Sequence, residues 1–372
     1  MANKEQLISA LRLYGTSGIG AASYMRLVEL YGSEEKAVAE LEKSAKYRPW
    51  SIDRAENELR QCQEKGIVLL HYSDKEYPQA LSKNLKDFPP LLYAKGNLNA
   101  LNAPLNVAIV GSRSASVYGC KIATQTACEL AEKGVCIISG MARGIDGASH
   151  QGAMFANCGQ GSTVAVLGTG VDVVYPPSNL DIYNKIMVNG CIISEFSLGT
   201  EGIAGNFPRR NRLIAGLAQA VLVVEAGLKS GSLITADLAL KQHKLLFAVP
   251  VTPANSSASG TNQLIKKGAL LAEGANDILP HLTSIKTSPR TEYSKPKQKV
   301  LVFENNDVKF SAEDKKNNLP SLISFLTVDG VQIDDLIRAT GKDASVLASE
   351  ILDLELSGEV RRLSGGRIAL IK

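Results

Sequence analysis

Apolar positions recur at helical spacing from about residue 5 to 31, broken once by Tyr14-Gly15-Thr16-Ser17-Gly18-Ile19-Gly20, which predicts helix, glycine turn, helix. That turn suits either of two roles: backbone N–H groups offered to a phosphate, or glycine freedom for a tight helical connection. Helical spacing returns over 33–41 and 52–65, and 67–72 reads as a short strand. From Tyr77-Pro78 to Phe88-Pro89-Pro90 the chain reads as an irregular connector. Beyond Asn106 near-continuous apolar runs alternate with amphipathic stretches. Strands are expected at 107–110, 135–139, 163–167, 191–194, 220–224 and 245–249, and helices at 119–133, 181–188, 211–219 and 234–243. Apolar strands separated by helices predict a parallel sheet covered on both faces, a doubly wound α/β domain over 105–282.

The closing third reads differently. Residues 283–318 have little apolar periodicity apart from Val300-Leu301-Val302-Phe303 and are expected to be a linker. Helical patterns then cover 319–326, 332–340 and 344–356, followed by two β-rich runs, 359–363 and 367–371, around Gly365-Gly366. Three helices and a hairpin make a winged-helix form of helix-turn-helix. Its recognition helix, 343–350, carries no Arg or Lys, so the module reads as a protein contact or a weak DNA contact rather than a major-groove reader. The resulting plan is a helical domain at 1–66, a connecting segment at 67–104, the α/β domain at 105–282, a basic linker at 283–318 and a winged helix at 319–372.

Composition adjusts this picture little. The chain has 372 residues, 45% of them hydrophobic, enough to bury a sizeable core. Its start has no apolar signal segment, and no run approaches the roughly eighteen uncharged apolar residues of a membrane span, so the cytoplasm is the expected compartment. Six cysteines form no C-x-x-C pair and four histidines are scattered, which argues against a metal site and for buried reduced thiols. The net charge is only +4, yet between 283 and 299 five basic residues face a single acid, Glu292. Local clusters therefore carry the electrostatic argument.

In a doubly wound sheet ligands bind outside the carboxyl ends of the strands. The loops expected there are Gly111-Ser112-Arg113-Ser114, Gly140-Met141-Ala142-Arg143-Gly144-Ile145-Asp146, Gly168-Thr169-Gly170, Glu195-Phe196-Ser197-Leu198-Gly199 and Glu225-Ala226-Gly227-Leu228-Lys229-Ser230-Gly231-Ser232. To the same edge comes Asn206-Phe207-Pro208-Arg209-Arg210-Asn211-Arg212, three arginines and a ring at the start of a helix. Glycines, hydroxyls, guanidinium groups and helix N-termini together suit an anion. Phe207 is either a stacking surface for a base or an anchor for its loop. Neither the G-x-G-x-x-G dinucleotide fingerprint nor a G-x-x-x-x-G-K-[ST] phosphate loop occurs, so neither a nicotinamide cofactor nor ATP hydrolysis is supported. Asp146, His150, Glu195 and Glu225 are imaginable general bases, but none is paired with a nucleophile in sequence, and Asp146 and His150 fit a cap and a packed histidine as well.

Taken together, Val107-Ala108-Ile109-Val110-Gly111-Ser112-Arg113, Ser139-Gly140-Met141-Ala142-Arg143-Gly144-Ile145-Asp146, Ser194-Glu195, Phe207-Pro208-Arg209-Arg210-Asn211-Arg212-Leu213-Ile214-Ala215-Gly216 and Ser230-Gly231-Ser232-Leu233-Ile234-Thr235-Ala236 resemble the DprA/Smf family of DNA-processing proteins, collinearly across the α/β domain. The resemblance implies a Rossmann-like central domain flanked by an N-terminal helical domain of sterile-alpha-motif or helix-hairpin-helix type and a C-terminal winged helix. It implies a non-enzymatic protein without a cofactor or metal, which protects incoming single-stranded DNA and loads the RecA recombinase onto it in natural transformation. A homodimer through the central domain is implied as well. Carried over, the DNA pocket would use Ser112, Arg113, Gly140, Arg143, Phe207, Arg209, Arg210, Asn211, Arg212, Lys229, Ser230, Gly231 and Ser232. One departure is Val251, where the family usually has glycine. Two other classes stay open: a phosphoribohydrolase-like enzyme on a nucleoside monophosphate, whose Pro-Gly-Gly-x-Gly-Thr signature is absent, and a partner-docking protein.

Overall fold

The structure is a computed structural model that describes residues 2–44, 46–156, 163–252 and 259–285, together with parts of 326–371. It divides into two units, Met1–Glu292 and Tyr293–Lys372.

The first unit opens with four helices: α1 (Lys4–Tyr14), α2 (Ala21–Tyr31), α3 (Glu34–Glu42) and α4 (Ile52–Glu64). Asn3, Ser33 and Ser51 cap three of them, each side chain accepting an N–H from the first turn, as short polar residues do at helix starts. These helices bury Leu11, Leu13, Tyr24, Val38 and Leu41. They join the sheet through a polar contact in which Glu34 Oε1 accepts from Tyr24 Oη at 3.1 Å and meets His71 Nε2 at 3.1 Å.

The chain continues as β1 (Val68–His71), α5 (Gln79–Asn84), β2 (Leu91–Gly96), β3 (Asn106–Val110), α6 (Val117–Glu132), β4 (Cys136–Ser139), α7 (Ile145–Phe155), β5 (Thr163–Val166), α8 (Leu180–Asn189) and β6 (Cys191–Ser194). It closes with α9 (Asn206–Leu217), β7 (Ala220–Val223), α10 (Gly231–Lys241), β8 (Leu245–Ala248), α11 (Ser259–Lys266), β9 (Leu270–Leu271) and α12 (Ala275–Ile285). The nine strands form one sheet in the order β1-β2-β6-β5-β4-β3-β7-β8-β9. All pairs from β6 to β9 are parallel, whereas β1 with β2 and β2 with β6 are antiparallel. The six strands expected from the apolar runs are all present. The run at 67–72 expected as a strand is β1, whereas the stretch read as an irregular connector contains the helix α5, and the apolar run Leu91-Leu92-Tyr93-Ala94 after Pro89-Pro90 is a further buried strand, β2, that joins β1 to the sheet.

Strand alternation sorts the core into layers. Ala108, Val110, Ile138, Val164, Val166, Val221 and Val223 face the layer holding Leu213, Ile214 and Ala236, whereas Val107, Ile109, Ile137, Ala220 and Leu222 face Ala123, Ala127, Leu130 and Ile278. The N-terminal helices share a third cluster with Tyr93, Leu167 and Ile186. No described helix is long and apolar enough to cross a membrane.

In the second unit β10 (Val331–Gln332), β12 (Arg367–Leu370) and β11 (Val360–Leu363) form an antiparallel three-stranded sheet in that order. Leu326, Leu336, Leu347, Ile351, Val360 and Ile368 make its core. The hairpin and this small core fit the expected winged helix. The basic linker from 286 onward, Gly365-Gly366 and most of 343–350 lie outside the described residues.

Candidate nucleic-acid interface

The strand order reverses between β3 and β7: β3 to β6 step one way across the sheet, and β7 to β9 step the other. Loops on either side of such a switch diverge and leave a crevice at the carboxyl ends. Here a cleft is lined by Arg113 after β3, Gly140, Ala142 and Arg143 after β4, Gly168, Thr169, Tyr175 and Pro176 after β5, and Phe207 and Arg210 of α9. Two of its glycines are required by close approach. A Cβ on Gly140 would stand 2.6 Å from the Arg210 guanidinium, and one on Gly168 would stand 2.8 Å from the Phe207 ring. Phe207 is close to both Arg113, whose Cζ is 5.2 Å from the ring centroid, and Tyr175, whose tilted ring is 5.2 Å away at 35°. Tyr175 is 39% exposed. The result is an aromatic surface with a cation over it.

Helix α9 begins at Asn206 rather than after the cluster, because Pro208 is tolerated in the first turn, where its missing N–H has no intrahelical partner. The three arginines therefore leave successive faces of the first two turns and meet different surroundings. Arg210 points inward and is only 3% exposed. Its Nη1 donates to the carbonyls of Gly140 at 2.7 Å and of Val166, and its Nε donates to Asn211 Oδ1 at 3.1 Å. Burial holds its guanidinium down to about 10, with Asp146 acting in the opposite direction, so it stays charged at neutral pH. Arg212 turns toward β6, where it pairs with Glu195, donates to the Asp87 carbonyl at 2.7 Å and approaches Asp87 Oδ2 at 3.5 Å. Arg209 is exposed, its Cζ 5.4 Å from the Phe196 ring.

Of the thirteen residues expected at the pocket, Arg113, Gly140, Arg143, Phe207 and Arg210 line the cleft. Ser112 lies under its rim, its N–H donating to the Glu225 carbonyl at 2.7 Å. Lys229, Ser230, Gly231 and Ser232 form the N-terminus of α10, where Ser230 is the cap and its Oγ is 2.7 Å from Ser232 Oγ. Asn211 reaches from α9 toward this turn, its Nδ2 3.5 Å from the Gly231 carbonyl. Arg113, Arg143, Arg209 and Lys229 are exposed, and among the described residues no acid pairs with any of them.

The acids and the histidine of this edge have internal partners. Asp146 Oδ2 accepts the N–H groups of Gly140 at 3.2 Å and Ala142 at 3.3 Å, fixing the turn that holds Met141 at φ 61. Burial raises its carboxyl above the usual range while Arg210 lowers it. Glu225 accepts from Ser116 N at 3.1 Å and Ser116 Oγ at 2.7 Å and so secures the start of α6. His150 is buried with Nδ1 2.7 Å from Thr163 Oγ1, and burial lowers its pKa to about 3, leaving it neutral.

The expected pocket set lacks Ala142, Gly168, Thr169, Tyr175 and Pro176. The Gly168-Thr169-Gly170 loop was visible as a strand-end loop, but Tyr175-Pro176-Pro177 gave no signal, because only the fold brings that ring against Phe207.

Comparison with known proteins covers most of the chain. The sequence model of DNA recombination-mediator protein A matches residues 68–283, that of a DprA-like N-terminal helix-hairpin-helix domain matches 4–60, and that of the DprA winged helix domain matches 310–366. Protein Smf of Escherichia coli is 34% identical over 305 residues, covering 80% of this chain and 76% of the relative. The DNA processing protein DprA of Streptococcus pneumoniae is 40% identical over 206 residues, covering 55% of this chain and 71% of its own. An X-ray structure of that S. pneumoniae protein superposes with a TM-score of 0.62 at 31% identity, over 76% of this chain and 99% of that one. The Helicobacter pylori DNA processing protein A, described for its single-stranded DNA binding mode, superposes with a TM-score of 0.52 at 33% identity, over 59% of this chain and 96% of that one. With its central domain, both flanking modules and its relatives in agreement, the chain belongs to the DNA recombination-mediator protein A family, the DprA/Smf proteins.

Proposed function

We propose that the cleft at the carboxyl ends of β3 to β5 holds single-stranded DNA, and that the protein acts on that strand by binding rather than by chemistry. The observation that carries this reading is the grouping of Arg113, Phe207 and Tyr175 beside Arg143: ring surface for a base, flanked by guanidinium groups that no acid neutralises among the described residues. Base stacking tolerates any sequence, and the cations hold phosphates wherever the strand runs. The thirteen residues named above serve in different ways. Arg113, Arg143, Arg209 and Lys229 meet phosphates, Phe207 orders a base or sugar, and Arg210 shapes the floor. The related H. pylori protein is described as binding single-stranded DNA, which supports the same role here.

A hydrolase reading is less favoured, since no Asp, Glu or His is among the residues lining this cleft. The bound strand is protected and then passed to RecA during natural transformation, the protein working as a homodimer through its central domain in the cytoplasm, with the winged helix making a protein contact or a weak DNA contact. The test is titration of a labelled single-stranded oligonucleotide at several salt concentrations. With Arg113, Arg143, Arg209 and Lys229 each holding a phosphate, log K should fall with log salt at a slope of about −3, at roughly 0.7 per phosphate. A flat response would remove the DNA reading. RecA loading is checked separately by whether the protein shortens the lag of RecA assembly on the same strand.

A further inference from the structure

A second cleft lies at the same sheet edge, between the N-terminal helices and the loop that follows β6, with Tyr14, Trp50, Phe196 and Arg209 among its lining residues. It is the roomier of the two, with a cavity volume of about 260 Å³ against about 40 Å³. A protein cavity of roughly 150 Å³ already admits a benzene ring, so this one has room for a nucleobase. Its walls are tied together. Glu58 of α4 accepts from Tyr93 Oη and from the Leu198 N–H, both at 2.9 Å, and Lys65 pairs with Asp172, which accepts the Gly199 N–H at 2.9 Å. The helical domain therefore fixes the loop that forms the opposite wall.

The chemistry of the first cleft recurs here. Arg209 Cζ lies 5.4 Å from the Phe196 ring centroid and Arg54 Cζ 3.9 Å from that of Trp50. Both arginines are exposed, and among the described residues no acid pairs with either. The acid beneath them, Glu195, is already paired with Arg212. The Tyr14 hydroxyl has no hydrogen-bond partner among the described residues and keeps accessible surface. Burial, and after it Glu195, push its pKa up while Arg212 and Arg209 act in the opposite direction, so it is a neutral donor within reach of the Arg209 charge. The two clefts also share a wall. Phe196 and Gly202 belong to one loop, and Gly202 packs so closely on Tyr175 of the first cleft that a Cβ would stand 2.9 Å from that ring. Arg209 follows Phe207 by two residues on α9, so one helical turn serves both sites. Strands β4 and β6 are separated only by β5, which sets the clefts on the order of 10 Å apart, a distance about three nucleotides cover at roughly 3.4 Å each.

We propose that this second cleft takes a further nucleotide of the same DNA strand, its phosphate held by Arg209 and the Tyr14 hydroxyl and its base packed against the ring surface of Phe196, with Arg54 adding a cation beside Trp50. The helix-hairpin-helix domain then takes part in holding the strand, through the end of α1 and the start of α4. Ring packing and phosphate contacts tolerate any base, so the subsite adds length rather than sequence to what is recognised.

The proposal rests on the single-stranded DNA reading, and the experiment separates the two. Oligo-dT of about twelve nucleotides, long enough to span both clefts, is titrated into the full-length protein, with oligonucleotide anisotropy and the emission of Trp50, the only tryptophan of the chain, followed together. The subsite predicts a change in Trp50 emission on binding. It also predicts that Tyr14→Phe, which keeps the ring and loses a hydroxyl the fold does not use, weakens binding about tenfold, the scale of one hydrogen bond to a charged group, at an unchanged unfolding midpoint. Wild-type affinity in Tyr14→Phe, in a protein whose binding Arg113→Ala still weakens, would place the strand in the first cleft alone and overturn the subsite. If Tyr14→Phe does not fold, the wild-type Trp50 emission decides, and unmoved emission overturns the subsite. Failure of the wild type to bind the oligonucleotide would overturn the DNA reading, and the subsite with it.

Discussion

The floor of the first cleft and its rim are built from the same residue type to opposite ends. On the floor Arg210 is buried, donating to two backbone carbonyls and a neighbouring amide. On the rim Arg113 and Arg143 are exposed with no acid partner among the described residues. A guanidinium already bonded to backbone carbonyls has few donors left for a phosphate, and burial fixes it in one geometry. An exposed one keeps its donors for a ligand. Arg212 lies on the floor side of this division, its charge taken by Glu195 and Asp87. The clustering of arginines is therefore a poor measure of the charge offered to DNA; what counts is how many acids and carbonyls the fold brings to each.

Substitutions should divide along the same line, with floor changes reducing stability and rim changes reducing affinity. The largest effect is expected for Arg210→Ala, which strands the carbonyls of Gly140 and Val166 and leaves Asp146 buried without its nearby cation. It should lower stability by about 3 kcal/mol in urea unfolding, so the variant does not serve as a clean binding mutant. Next comes the buried layer's response to acid. His150 stays neutral in the folded protein down to about pH 3, but its unfolded value is near 6.5, so below that pH the unfolded chain binds a proton the folded one excludes. Stability contributed this way is complete above 6.5 and falls as pH falls. By pH 5 the loss from this group is about 2 kcal/mol, and His150→Gln should show a correspondingly smaller drop between pH 7 and 5 than the wild type. Arg113→Ala should leave the unfolding midpoint unchanged and weaken oligonucleotide binding about tenfold, since it removes both a phosphate donor and the cation over Phe207. Lys229→Ala, just before α10 and outside the cleft lining, should weaken it by about threefold or less. A rim variant that unfolds the protein, or a floor variant that changes affinity alone, would break the division.

Much of this was legible in the sequence because two periodicities carry it. The apolar runs at 107–110, 137–139 and 220–223 alternate their buried faces as strands must, and the loops between them display Gly111-Ser112-Arg113 and Gly140-Met141-Ala142-Arg143 at one edge. What was not legible depends on contacts distant in sequence. The strand Leu91–Gly96 is hidden behind two prolines and joins the sheet only because β6 arrives beside it about a hundred residues later. The roles of Arg209, Arg210 and Arg212 depend on where α9 begins and what each then meets: Phe196, the Val166 carbonyl and Glu195. Tyr175 gave no local signal, yet it supplies half of the aromatic surface.

The central claim is that the rim arginines, and not the floor arginine, are the charges offered to the strand. Its most direct test is the salt dependence of single-stranded oligonucleotide binding by the wild type and by the double variant Arg113→Ala/Arg143→Ala. Loss of two phosphate contacts predicts that the slope of log K against log salt flattens by about 1.4 units, at roughly 0.7 per phosphate, with the unfolding midpoint unchanged. An unaltered slope in a folded double variant would contradict the account and place the phosphates elsewhere.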